Sequence, residues 1–134
     1  MNKTIGALIP IRLASTRLPN KAILNICKKP IVHHLLDRVF ASKYIDKKNV
    51  IVCTTTKKSD DELVEYVESY GANVFRGDPD DIIKRLYDAM TFYKLDYAIQ
   101  VDGDDITVDP DYMDLCLSCQ LNNHQVGHLV LLVL

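Results

Sequence analysis

Short, nearly uninterrupted apolar runs alternate along this chain with longer segments whose apolar residues recur every three or four positions. The first run, Ile5 to Ile11, and the second, Asn49 to Thr54, are typical of strands that are buried on both faces. Shorter runs follow at Asn73 to Phe75 and at Tyr97 to Val101. Strands separated by helices in this way predict an α/β fold with three layers, in which a mainly parallel sheet lies between helices.

The first two intervening segments carry helix boundary signals. Pro30 stands at the start of an apolar stripe that runs from Ile31 to Phe40, and proline is favoured in the first turn of a helix. Ser59 is expected to cap the second helix, because a glutamate follows three residues later. Gly71 is expected to end that helix.

The next two segments predict helices from Asp80 to Tyr93 and from Pro110 to about Leu121. Helical spacing predicts that the first of these buries one stripe of apolar side chains. The members of that stripe are Ile82, Ile83, Leu86, Tyr87 and Met90.

The chain has 134 residues, which is the length of a single domain with its own core. Its net charge of -2 argues against a nucleic-acid-binding protein. Arg12 interrupts the first apolar run too early for a secretory signal, and no run has the roughly 20 residues of a membrane helix. Four cysteines in a core-forming chain do not suggest a disulfide framework, so we expect a cytoplasmic protein with reduced thiols.

The loop after the first strand concentrates cations and hydroxyl groups. Within ten residues it carries Arg12, Ser15, Arg17 and Lys21. Ligands of a parallel sheet bind beyond the carboxyl ends of its strands, where this loop lies. One guanidinium group can bind two phosphate oxygens at once, so the loop predicts an anion site.

The loop after the fourth strand is acidic. It reads Asp102, Gly103, Asp104 and Asp105, directly after an apolar strand. Such a turn can have a purely conformational role. At the end of a buried strand, however, its carboxylates favour a bound cation.

The basic segment Ile9 to Lys21 (IPIRLASTRLPNK) resembles the opening loop of the CMP-sugar synthetases and is most similar to that of the spore-coat polysaccharide cytidylyltransferases. The resemblance implies that four residues surround the triphosphate of a nucleotide, three of them also serving catalysis by offsetting its charge. The four are Arg12, Ser15, Arg17 and Lys21. The three that serve catalysis are Arg12, Arg17 and Lys21. Ala14 and Asn20 replace glycines of the family loop, so we expect an ordinary backbone at Ala14 and tolerance of a positive φ at Asn20.

Two further segments resemble the same family in the same order. The stretch from Phe75 to Arg85 is similar to the family's base-binding segment, which implies that Arg76 and Gly77 lie near the cytosine ring. Arg85 either contributes to that site or pairs with Asp81 one helical turn away.

The third similar segment runs from Val101 to Pro110, and its resemblance implies that Asp104 binds Mg²⁺. Asp102 and Asp105 are close enough in sequence to act as supporting or alternative ligands. Ile106 stands where the family often has proline.

Together these resemblances imply a Rossmann-like nucleotide-diphospho-sugar transferase fold. They imply transfer of CMP from CTP to a sugar, acidic or from a surface polysaccharide, with release of pyrophosphate. CTP, a sugar and Mg²⁺ are the expected ligands, a homodimer is the expected assembly, and neither a membrane nor a nucleic acid is an expected partner. Family members are much longer, so residues 1–134 are expected to form a single nucleotide-binding domain, the N-terminal half of a cytidylyltransferase that turns over poorly alone.

Two alternatives remain open on the sequence. Asp102 and Asp104 have the spacing of the metal-binding aspartates in glycosyltransferases that use nucleotide-sugars, although the basic loop better suits a triphosphate. The chain length favours a non-catalytic nucleotide-binding module. The apolar end from His128 to Leu134 is expected to be a fifth strand or a cut edge that promotes self-association.

Overall fold

A computed structural model describes residues 2–123 and the backbone of residues 130–133. The larger of its two sheets has five strands, and the smaller is a two-stranded hairpin. In chain order the elements are β1 (Ile5–Pro10), β2 (Asn25–Ile26), β3 (Lys29–Pro30), α1 (Ile31–Phe40), β4 (Val50–Thr55), α2 (Asp61–Ser69), β5 (Asn73–Gly77), α3 (Ile82–Phe92), β6 (Tyr97–Gln100), α4 (Pro110–Asn122) and β7 (Val130–Val133).

The large sheet has the strand order β5-β4-β1-β6-β7, and all of its neighbouring pairs are parallel. This confirms the predicted parallel α/β fold. Ile9 of β1 pairs with Val52 of β4, while Ala7 of the same strand pairs with Ile99 of β6. Strand β1 is therefore central, and the loop that follows it opens at the middle of the sheet edge.

Alternate side chains of the central strands enter two separate cores. Ala7 and Ile9 belong to a cluster built with helices α1, α2 and α4. Leu8 and Ile51 belong to a second cluster that is covered by α3. Helices on both faces produce the predicted three layers.

The predicted apolar stripe of α3 is only partly correct. Leu86 and Met90 are buried, but Ile83 is 80% exposed and Ile82 and Tyr87 are also exposed. The helix is rotated so that Arg85 and Ala89 face the sheet instead. Apolar spacing does not distinguish between adjacent faces of a helix, and here Arg85 finds carbonyl acceptors on the inner face.

The predicted cap of α2 is wrong. The helix begins at Asp61 with Asp60 at the N-cap position, and no side chain caps it. Ser59 lies in a short 3-10 helix just before it. The other end agrees with expectation, because Gly71 has a φ of 97° and its N–H donates to the carbonyl of Glu68.

No helix among the described residues is long and apolar enough to cross a membrane. The apolar end of the chain is described only in part. Residues 130–133 form β7, a parallel neighbour of β6 at the margin of the sheet. This agrees with the expectation that the segment forms a fifth strand after the four predicted ones. His128, Leu129 and Leu134 lie outside the described residues.

We expect the chain to self-associate through β7. The strand lies last in the order of the sheet, so within the described part of the chain its outer backbone groups pair with no other strand. Open strand edges pair with other chains. Light scattering at increasing protein concentration should show a rising average mass, and a constant monomer mass would contradict this expectation.

Candidate functional site

A cleft of about 360 Å³ opens at the carboxyl ends of β1 and β6. These strands are neighbours, and the chain leaves β1 towards β4 but leaves β6 towards β7. Such a reversal of direction is where parallel α/β sheets bind ligands. The lining residues are Pro10, Ile11, Arg12, Ser15, Lys21, Ala22, Ile82, Arg85, Gln100, Asp102, Gly103 and Asp104.

The basic loop after β1 folds around Leu13. The carbonyl of this buried residue accepts hydrogen bonds from the N–H groups of Ser15 at 2.9 Å and Asn20 at 3.0 Å. Asn20 has a φ of 59°, a conformation that asparagine tolerates better than most residues other than glycine. Ala14 is not among the residues with positive φ. Both backbone expectations are confirmed, and the loop presents Arg12, Ser15 and Lys21 to the cleft.

A buried carboxylate attaches this loop to the neighbouring strand. Asp60 is 1% exposed, and its Oδ1 accepts a hydrogen bond from the N–H of Leu13 at 2.8 Å. Its Oδ2 accepts from the N–H of Thr55 at 3.3 Å and from the hydroxyl of the same residue. The three donors satisfy a charge that burial would otherwise make costly, and they fix the loop relative to β4.

An ion pair connects the basic loop with the acidic turn. Nζ of Lys21 donates to Oδ2 of Asp104 at 2.7 Å, and the side chains are 41% and 59% exposed respectively. The hydrogen bond from the Lys21 ammonium holds the pKa of the Asp104 carboxyl below its ordinary value. Asp104 is therefore an anion at neutral pH, as binding of a cation requires.

Gly103 allows the acidic turn to approach β1. A Cβ at this position would lie 2.6 Å from the carbonyl oxygen of Pro10 and 2.5 Å from Cγ1 of Ile11. The backbone oxygen cannot move away without disturbing the strand, so only glycine fits. Asp102 and Asp104 on either side of it both line the cleft.

Asp105 has a different role within the turn. Its Oδ1 accepts hydrogen bonds from the N–H of Thr107 at 3.1 Å and from the Thr107 hydroxyl at 2.8 Å. The residue is not part of the cleft lining. Of the two aspartates considered as supporting ligands, only Asp102 is in a position to reach a bound ligand.

The structure does not bring every predicted site residue to the cleft. Arg17 is exposed on the basic loop and does not line the cavity. Arg76 is turned towards the start of α2, where it donates to the carbonyls of Thr55 at 2.9 Å and Lys57 at 2.7 Å and pairs with Asp61 at 2.7 Å. These contacts join the end of β5 to the β4–α2 connection.

Gly77 does not line the cavity, but its lack of a side chain makes room for a residue that does. A Cβ here would lie 2.8 Å from Cγ of Arg85 and 2.9 Å from a ring carbon of Phe75. The glycine therefore leaves room for the Arg85 side chain, which lines the cleft. The alternative considered for Arg85, an ion pair with Asp81, is not found among the described residues.

Arg85 lines the cavity, in agreement with one of the two alternatives for this residue, and Gln100 lines it without having been predicted from the sequence. The signal for Arg85 was its place in the segment from Phe75 to Arg85, which resembles a segment of the cytidylyltransferases. Gln100 offered a weaker signal as the last, polar residue of an otherwise apolar strand.

The cleft combines charges of both signs in a way that suits a polyphosphate and a divalent cation. Arg12, Lys21 and Arg85 contribute positive charge, and Asp102 and Asp104 contribute carboxylate oxygens. Among the described residues no group of three or more His, Cys, Asp or Glu side chains is placed to hold a metal alone. Mg²⁺ needs fewer protein ligands, because one or two carboxylates commonly bind it together with substrate phosphates. The donor set therefore fits this ion.

A parallel sheet with a basic loop and an acidic turn at its reversal point is typical of a Rossmann-like fold. The sequence model of the family described as cytidylyltransferase matches residues 6–132. The chain belongs to the cytidylyltransferase family, a family of nucleotidyltransferases.

Several relatives support this membership. The chain is 36% identical over 110 residues to a 3-deoxy-manno-octulosonate cytidylyltransferase of Brucella canis, covering 78% of this chain and 41% of the relative. It is 38% identical over 122 residues to an uncharacterized protein of Methanocaldococcus jannaschii, covering 91% and 49%. The chain thus spans about half the length of the curated relatives that it matches.

Solved structures show the same similarity. A cytidylyltransferase from Leptospira borgpetersenii superposes with a TM-score of 0.86 at 35% identity, covering 92% of this chain and 51% of that one. A CMP:2-keto-3-deoxy-manno-octonic acid synthetase complexed with CTP superposes with a TM-score of 0.80 at 25% identity, covering 91% and 49%. These neighbours confirm the Rossmann-like fold.

We expect Asp60→Ala to destabilise the protein by about 3 kcal/mol, because it leaves buried donors of Leu13 and Thr55 without an acceptor. Urea unfolding would measure the change. Asp61→Ala is the matched control, since its exposed pair with Arg76 is worth no more than about 1 kcal/mol. Equal losses for the two variants would show that Asp60 does not anchor the loop.

Proposed function

We propose that this chain is the nucleotide-binding half of an enzyme that transfers CMP from CTP to a sugar and releases pyrophosphate. The observation that carries the proposal is the direct contact of Lys21 with Asp104. It joins the basic loop, which suits phosphate, to the acidic turn, which suits a cation, at the mouth of one cleft. Relatives named for CTP and for an eight-carbon acidic sugar support an acidic acceptor, or one from a surface polysaccharide.

In this proposal the basic loop holds the triphosphate. Arg12 and Lys21 line the cleft and would offset the charge that develops on the leaving pyrophosphate. The Ser15 hydroxyl would donate a hydrogen bond to a phosphate oxygen. Arg17 lies on the same loop and is exposed, so it would contact phosphate oxygens that extend beyond the cavity.

Asp104, with support from Asp102, would hold Mg²⁺ beside these phosphates. A bound Mg²⁺ supplies charge neutralisation and alignment of the phosphate chain. The hydroxyl oxygen of the sugar would attack the α-phosphorus and lose its proton to solvent. The bond between the α-phosphorus and the oxygen that bridges to the β-phosphate would break, and pyrophosphate would leave. Since little covalent work falls to the protein, its residues act mainly by positioning and by charge.

Two rival functions were open on the sequence. The glycosyltransferase alternative loses its support, because the chain belongs to the cytidylyltransferase family. A non-catalytic nucleotide-binding module would have the same cleft, so binding and metal dependence are the properties that test the proposal.

We expect CTP to bind at least about tenfold more tightly than ATP, GTP or UTP in the presence of Mg²⁺, a difference of about 1.4 kcal/mol. The reason is that a cytidylyltransferase must select its base as well as its triphosphate. Isothermal titration calorimetry with the four nucleotides would measure this. Equal affinities, or a preference for a purine, would refute the proposed substrate while leaving the phosphate loop intact.

We expect Asp104→Asn to remove most of the increase in CTP affinity that Mg²⁺ produces, because an amide oxygen replaces the anion that faces the metal. CTP binding without metal should persist through Arg12, Arg17 and Lys21. Titration of Mg²⁺ into the CTP-bound protein would separate these effects.

Asp102→Asn serves as the comparison variant and should have the smaller effect. A larger effect of Asp102→Asn than of Asp104→Asn would mean that the principal metal ligand is misassigned. If neither variant alters the metal dependence, the acidic turn is structural and the non-catalytic alternative is favoured.

A further inference from the structure

Helix α3 carries apolar side chains on its outer face as well as on the face that packs against the sheet. Leu86, Ala89 and Met90 are buried, whereas Ile83 is 80% exposed and Tyr87 is 59% exposed. The two exposed side chains are four positions apart, so they are neighbours on the helix surface. A helix that is apolar on more than one side is usually buried on more than one side. This outer face is therefore a candidate contact surface.

No described helix lies beside α3 to cover its outer face. The buried side chains of α1, α2 and α4 belong to the core on the opposite side of the sheet. The core on the α3 side takes its buried helical residues from α3 alone. Within the described part of the chain, a partner can therefore approach α3 from outside without displacing another helix.

The charges on this face are arranged so that a second copy of the chain would complement them. Lys84 and Asp88 form an exposed ion pair along the helix. When a second copy packs antiparallel, across a two-fold axis at the level of Leu86, the facing helix presents the same charges in reverse order. Lys84 then lies opposite Asp88 of the second copy. The exposed residues Asp80, before the helix, and Lys94, after it, are complementary in the same way.

A partner with one sign of charge fits this face less well. A nucleic acid or an anionic lipid surface would attract Lys84 and repel Asp88, which lies one helical turn away. Parallel pairing of two α3 helices would place like charges opposite each other, which is unfavourable at an interface. Only the antiparallel pair satisfies both charges and buries the apolar side chains.

We infer that the outer face of α3 is an interface between two copies of this chain, which pair antiparallel about a two-fold axis. Ile83 of each copy packs against Tyr87 of the other, and the Lys84 and Asp88 side chains flank this contact. Each interaction occurs twice, because the same surface is used on both sides. The contact is separate from the one expected at β7, so a protein that uses both would form assemblies larger than a dimer.

Charge reversal tests the inference, with sedimentation equilibrium to measure the dissociation constant of self-association. Lys84→Asp and Asp88→Lys each place like charges across the interface, so each should raise this constant at least about tenfold. An equimolar mixture of the two variants should return to within about threefold of the wild-type constant, because every facing pair in the mixed dimer again has opposite signs. Reversal of both residues in one chain should restore association in the same way.

Lys48→Asp is the matched control for these variants. It reverses an exposed lysine of a surface ion pair on another part of the chain and should leave the constant unchanged. Pairing through the backbone of β7 depends on none of these charges, so it contributes equally to every protein in the series.

The apolar part of the interface needs a second pair of variants. Tyr87→Ser removes the ring that faces Ile83 of the second copy and should raise the dissociation constant at least about tenfold. Tyr112→Ser removes a ring of nearly equal exposure, 60%, from α4 and should leave the constant unchanged.

Several results would overturn the inference. A wild-type protein that stays monomeric at every concentration would do so, and would leave the outer face of α3 to a different partner or to another part of a longer chain. Single reversals without effect would also contradict it. If both singles weaken association but their mixture does not recover, the charges act within one copy and not between copies. Equal losses for Tyr87→Ser and Tyr112→Ser would show that α3 is not the specific contact.

Discussion

The carboxylate of Asp60 is the contact on which the geometry of the cleft depends. It is buried, it has no cationic partner among the described residues, and it is held by N–H and hydroxyl donors of Leu13 and Thr55. Buried hydrogen bonds to a carboxylate contribute more to folding stability than exposed ion pairs do, because water cannot replace the lost donors at a buried group. The basic loop therefore has one defined path away from β1, and Arg12, Ser15 and Lys21 take their positions from that path.

The opposite side of the cleft is fixed by close packing instead of charge. Gly103 lets the acidic turn lie against the end of β1, and Gly77 lets the stem of Arg85 pass beneath the end of β5. In both places a single added carbon would collide with its neighbours. Backbone approach at two glycines and one buried hydrogen-bonded anion thus bring three separate loops to the same edge of the sheet.

Much of this arrangement could be predicted from the sequence. The strands, the basic loop and the acidic turn were predictable because local patterns and strand order are enough to place them at one edge. The inner face of α3 was not, since it depends on whether Arg85 finds acceptors in the loop just before the helix, which the apolar spacing within the helix does not describe. For the same reason the sequence could not show that Arg76 turns away from the cleft towards Asp61, nor that Asp60 rather than Ser59 matters before α2.

The contact between Lys21 and Asp104 makes each residue the other's counter-ion when the cleft holds nothing else. A phosphate that attracts Lys21 releases a carboxylate, and a metal that attracts Asp104 releases an ammonium group. Each ligand thereby prepares the site of the other, and linkage requires the effect to be equal in both directions. Nucleotide and metal should consequently bind as a cooperative pair, each more tightly in the presence of the other.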